Sequence, residues 1–136
     1  MSNVKTVKLD KKYQHNIQDF EQEQKIVYDV IDKTFNKFQN ESNYNTKEYA
    51  TDILLNDYTY IPNDTVLSEG RYIRYLDLKN PLEIKLRIGG FLLSDNGYTV
   101  HLKGPKKIFR VSKRNSLFFS QITDNDKVRV AIHDYV

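Results

Sequence analysis

From Arg71 to Val136 the chain alternates apolar and polar residues in short runs, and each run ends at Gly, Asn or Pro. Period-two alternation places successive side chains on opposite faces of a strand, so this half is committed to antiparallel sheet. Gly70 precedes a strand at Arg71–Leu78, and Asn80-Pro81 turns the chain. Leu82, Ile84, Leu86 and Ile88 alternate with Glu83, Lys85 and Arg87, which predicts a half-buried strand. Gly89-Gly90 inside the pattern predicts a bulge or sharp bend before Phe91-Leu92-Leu93. Asn96-Gly97 is the signal of a type I′ hairpin. Tyr98, Val100 and Leu102 alternate on the return strand, and Gly104-Pro105 turns again. Lys106–Ser112 and Leu117–Ile122 are two more strands, and Val128, Val130 and Ile132 mark a last one.

The first half follows a different period. Residues 1–14 show none and are expected to be extended or disordered until docked. From Asn16 to about Gln39 the spacing is helical: Ile17, Ile31 and Phe38 share one heptad position, and Phe20 and Val27 share another. Tyr28 and Phe35 widen the stripe. Such a stripe packs on its own domain or on a partner, and Phe20, Val27, Ile31, Phe35 and Phe38 are the candidate partner-binding residues. Asn40-Glu41-Ser42-Asn43 breaks the pattern. A second helix is expected with Asn45 as N-cap and Glu48 in capping-box position. Tyr49, Ala50, Ile53 and Leu54 form its apolar face, and Tyr58 extends it.

The fold class expected is α+β, an N-terminal helical arm followed by a small antiparallel β-barrel of about six strands, SH3-like or OB-like. The alternative is an open antiparallel sheet covered by the helices. The domains expected are residues 1–65, polar with one or two amphipathic helices, and residues 66–136, the barrel.

Chemistry is sparse. The chain has no cysteine, which excludes disulfides and thiolate sites. His15, His101 and His133 show no metal-ligand spacing, and no Walker, Rossmann or nucleophile-elbow glycine pattern occurs. Neither an enzyme nor a cofactor nor a small-molecule substrate is expected. No run suits membrane insertion, and no leader-like stretch opens the chain, so an intracellular product is expected. Charge is distributed unevenly. Residues 1–65 carry 8 basic and 11 acidic side chains, a net of −3, and residues 66–136 carry 13 and 7, a net of +6. Six basic residues fall within the twelve from Lys103 to Arg114: Lys103, Lys106, Lys107, Arg110, Lys113 and Arg114. They are the candidate polyanion-binding residues, because lysine and arginine give sequence-independent phosphate affinity. The competing explanation is a charged strand face that keeps an edge from aggregating.

Several segments of the β half resemble small proteins encoded by nucleocytoplasmic large DNA viruses. The segments are Gly70-Arg71-Tyr72-Ile73-Arg74-Tyr75-Leu76, Ile88-Gly89-Gly90-Phe91-Leu92-Leu93, Tyr98–Lys103, Phe109-Arg110-Val111-Ser112 and Asn115-Ser116-Leu117-Phe118-Phe119. The likeness spans roughly residues 60–122, and its motifs are structural. Arg110-Val111-Ser112 lacks a tryptophan that such proteins place there. The resemblance implies a virion-associated or late-expressed protein, found in the virion or host cytoplasm, and the arm-plus-barrel architecture suits a structural or scaffold role. The function expected is therefore non-enzymatic assembly through a protein partner or self-association, with DNA or RNA binding by the basic β half as the alternative.

Overall fold

A computed structural model of the chain describes residues 3–66 and 69–122, with side chains from Phe20 onward. Two helices, α1 (Asn3–Asn36) and α2 (Glu41–Leu54), precede six strands. The strands are β1 (Tyr58–Ile61), β2 (Tyr72–Asp77), β3 (Lys85–Asp95), β4 (Thr99–Lys103), β5 (Ile108–Ser112) and β6 (Ser116–Gln121). They form one antiparallel sheet in the order β1-β6-β2-β3-β4-β5. The fold is thus α+β, and the barrel is not closed, since β1 and β5 stand at the two ends of the order. The expected strand around Val128–Ile132 lies outside the described residues.

Helix α1 is longer than its apolar stripe, reaching back to Asn3 through residues where no period is visible. Its stripe packs within the molecule. Val27, Ile31 and Phe35 are buried with Ala50 and Leu54 of α2 and with Tyr58, Leu76, Ile84 and Phe119 of the sheet side. Burying each of Val27, Ile31 and Phe35 contributes about 1.5–3 kcal/mol. Phe20 is half-buried and Phe38 is exposed. Helix α2 starts five residues earlier than expected. Asn40, not Asn45, is the N-cap, and its side chain accepts the Asn43 backbone N–H at 2.8 Å. Tyr58 lies not on the helix but at the head of β1.

Asn43 joins the layers. Its Nδ2 donates to the carbonyls of Phe38, at 2.7 Å, and Pro81, at 2.9 Å. Its Oδ1 accepts the Ile84 N–H at 3.0 Å. A fully buried amide with every contact satisfied fixes where the end of α1, the start of α2 and the entry to β3 meet.

The expected strand from Leu82 to Ile88 begins later and changes face. Asn80 accepts the Leu82 N–H, and Pro81–Glu83 forms a 3₁₀ turn that leaves Leu82 exposed. Further on, Ile73 pairs with Gly90 but Tyr75 with Arg87, so Ile88 and Gly89 together oppose Arg74. This bulge turns Ile88 outward. Both glycines sit where the backbones nearly touch. A Cβ on Gly89 would lie 1.9 Å from the Ile73 carbonyl oxygen, and one on Gly90 would lie 2.4 Å from that of Lys103. A second register shift, at Leu93, follows in the same strand.

These irregularities let the sheet curl. Ile73, Leu92, Val100, Leu102, Val111 and Phe118 form a second core on the face away from the helices. Ile61 of β1 and Phe109 of β5 both pack against it, so the two end strands approach one cluster without pairing. The expected boundary near residue 65 falls in the loop between β1 and β2. That loop is tied across the curl: Asn63 Nδ2 donates to the Lys113 carbonyl at 2.8 Å, and Lys113 Nζ donates to the Thr65 carbonyl at 3.2 Å.

The β3–β4 hairpin also differs in register from the expected type I′ turn. Asn96 N–H donates to the Thr99 carbonyl at 3.2 Å, leaving Gly97-Tyr98 as the two central residues. Gly97 has φ +92°, and Asn96 is not in the positive-φ region. The Asn96 side chain closes the tip instead, its Oδ1 accepting the Tyr98 and Thr99 N–H groups at 2.9 and 2.8 Å, and Tyr98 is left in water.

Candidate nucleic-acid interface

The helices cover only part of one sheet face. Their main contacts are with β1, with the 3₁₀ turn at Pro81–Glu83 and with β3, and not with β4 or β5. Register carries that face onward past the helices. Arg74 pairs with Phe119, which lies in the helix-side core, so Tyr72 and Arg74 share its face. Tyr72 pairs with Phe91, Phe91 with Lys103 and Lys103 with Ile108. His101 pairs with Arg110 in the neighbouring row. The uncovered half of the face therefore presents Phe91, His101, Lys103, Ile108 and Arg110 on adjacent strands. Phe91 is 53% exposed and Ile108 59%.

The tip of the β4–β5 hairpin, with exposed Lys106 and Lys107, borders this row. A groove of about 520 Å³ opens beside it, lined by Tyr72, Gly89, Gly90, Phe91, Lys103, Gly104 and Pro105. Tyr72 braces the Phe91 ring edge-to-face, with centroids 5.2 Å apart and planes at 70°.

The six candidate basic residues divide. Lys103, Lys106, Lys107 and Arg110 come together on the hairpin and its uncovered face. Arg114 is exposed at the far end of β5, a strand length away. Lys113 is only 5% exposed and its ammonium is occupied, lying 2.6 Å from the buried Asp95 carboxylate. It is a structural cation, because an ammonium held inside by a carboxylate and two carbonyls has no face left for a phosphate. Among the described residues no carboxylate pairs with Lys103, Lys106, Lys107 or Arg110. From Asn96 to Ile122 the chain contains no Asp or Glu at all. Of the basic residues elsewhere on the sheet, Arg74 holds a buried Nε with no hydrogen-bond partner among the described residues, and three others are engaged locally. Arg87 meets Asp77 at 3.2 Å, Lys85 meets Glu83 at 3.4 Å, and Arg71 donates to Ser120 Oγ at 3.0 Å.

Phe91 and Ile108 were not legible as a shared surface. Plain alternation from Leu82 puts Phe91 in phase with Arg87, and the Ile88-Gly89 bulge instead sets it on the face of Leu86, on the part of that face beyond the helices. The double glycine was the available signal.

Elsewhere the surface offers less chemistry. Among the described residues no group of three His, Cys, Asp or Glu side chains could hold a metal ion. A cavity of about 530 Å³ at the α1–α2 junction is lined by Phe35, Asn43, Tyr44 and Lys47. Its lysine bonds the Asp32 carboxylate at 2.7 Å and holds that carboxyl below its usual range. No described helix is long and apolar enough to cross a membrane. No protein-family model, curated protein or solved structure matches the chain. Fold and surface together define an α+β chain with a helical pair over a curled antiparallel sheet, and a basic, aromatic half-face that the two helices do not cover among the described residues.

Proposed function

We propose that this protein is a non-enzymatic binding module that holds nucleic acid on the uncovered face of β3, β4 and β5. The observation that carries this reading is the run of cations Lys103, Lys106, Lys107 and Arg110, with no carboxylate partner among the described residues, beside an exposed Phe91. Cations supply phosphate affinity through counterion release, and an aromatic on a sheet face offers a surface for bases. For a virion-associated protein, as the viral resemblance implies, such a face would hold the genome. The test is binding of labelled single- and double-stranded DNA and RNA across salt concentrations. Affinity is expected to fall steeply with salt. Reversing Lys106, Lys107 and Arg110 together should remove most of it and flatten the log–log salt slope by about 2–3. Failure of the full chain to bind any of these at about 50 mM salt, where the counterion effect is still strong, discards the reading.

A second reading, assembly through a protein partner or a second copy, is favoured by the exposed Tyr28, Phe38 and Tyr44 on the helical layer. Sedimentation of the full chain across concentration separates it: a monomer throughout excludes self-association.

A further inference from the structure

Resting on the nucleic-acid reading, we infer that the groove between Phe91 and Pro105 is a stacking subsite for one unpaired base, so that the face selects single strands over duplex. The groove lies beside the cationic row, since Phe91 and Lys103 are direct register partners. Three glycines, Gly89, Gly90 and Gly104, line it. They present backbone rather than side chain, leaving the Phe91 ring accessible from the groove. A volume of about 520 Å³ falls within the range of small-molecule sites, roughly 300–1,000 Å³, and accommodates a nucleotide.

Charge fixes what this occupant is. A neutral apolar side chain would fill the groove but make no use of Lys103 in its wall or of Lys106 and Lys107, which follow Pro105 on the hairpin tip. A base with its phosphates uses both, with the ring on Phe91 and the phosphates toward the hairpin ammoniums. A base inside a duplex has both faces covered by its neighbours and cannot enter. Duplex would therefore meet the lysines alone.

The experiment is anisotropy titration of the full chain with four probes: labelled oligothymidine of about ten nucleotides, an abasic strand of equal length, duplex of equal length, and a single nucleoside monophosphate as competitor. Oligothymidine is expected to bind more tightly than either the abasic strand or the duplex. Phe91→Ala should weaken oligothymidine by roughly 5- to 150-fold, the equivalent of about 1–3 kcal/mol of stacking, and leave the abasic strand unchanged. Phe91→Tyr should restore binding, and the half-exposed position should leave melting nearly intact. Equal affinity for abasic and base-bearing strands, tighter duplex binding, or an unchanged Phe91→Ala affinity overturns the subsite. In those cases a loss on reversing Lys106, Lys107 and Arg110 leaves the broader nucleic-acid reading standing. Competition by the monophosphate at concentrations where it matches the strand would make the groove a free-nucleotide site and would also overturn the single-strand assignment. A wild-type chain that binds no probe fails both.

Discussion

Two buried polar residues carry more of this fold than their type suggests. Asn43 satisfies the Phe38 and Pro81 carbonyls and the Ile84 N–H at once, at 2.7–3.0 Å. Asn43→Ala should destabilise the protein by about 2–4 kcal/mol in chemical denaturation, because buried backbone groups are left unpaired. Asn43→Asp should do comparable harm, since a carboxylate cannot donate to the two carbonyls. Lys113 and Asp95 form the second device, their side chains 6% and 1% exposed. Lys113→Met should cost about 3–5 kcal/mol by removing the cation that faces a buried carboxylate. Pairing it with Asp95→Leu should recover much of that loss, and a double-mutant cycle of melting curves reads the coupling. In the sequence Asn43 reads as a helix breaker and Lys113 as one more surface cation. Hydrogen-bond partners 41 residues away, or a carboxylate 18 positions back, leave no local trace.

At the scale of elements, α1 is a structural wall. Val27, Ile31 and Phe35 fill the core that Tyr58, Leu76 and Phe119 complete, so the sheet and helices bury one surface between them. Ile31→Ala should lower stability by about 2–5 kcal/mol. A chain starting near Asn45 should lose cooperative unfolding, seen as a broadened or absent calorimetric transition, because the helix-side face of β1, β6 and β2 would be bared. A sharp transition in that truncation would mean that the sheet sustains itself and that α1 is an accessory arm. The helical stripe was legible because its spacing follows the 3.6-residue turn, but whether it packs at home or on a partner depends on a surface some thirty to ninety residues further along. Element β3 shows the same division. Its double glycine announced a bulge, but the exact residues doubled against Arg74 follow from pairing with β2.

For the whole molecule, the two cores lie on opposite faces of one curled sheet, and tyrosines edge both. Burial raises the pKa of Tyr58, Tyr60 and Tyr75 above the ordinary value of 10.0. The folded state therefore favours the neutral phenol. Its contribution is fully present below pH 10 and is lost as pH rises from the unfolded value through the folded ones. Melting temperature should accordingly fall above about pH 10, with phenolate absorbance in the native protein appearing later than in denaturant. By itself the sequence determined the order of helix before sheet, the turn positions to within a residue or two, and the concentration of positive charge in the hairpin from Lys103 to Arg114. Each of those rests on local physics: the period of the backbone, the φ demands of glycine and proline, and the identity of charged side chains. Tertiary structure alone decided that the sheet curls without closing, that the helices stop short of β4 and β5, and that Lys113 turns inward while Phe91 turns out. Those outcomes depend on which distant surfaces meet and how well they fill one another, and a bulge of a single residue exchanges the inside of a strand for its outside.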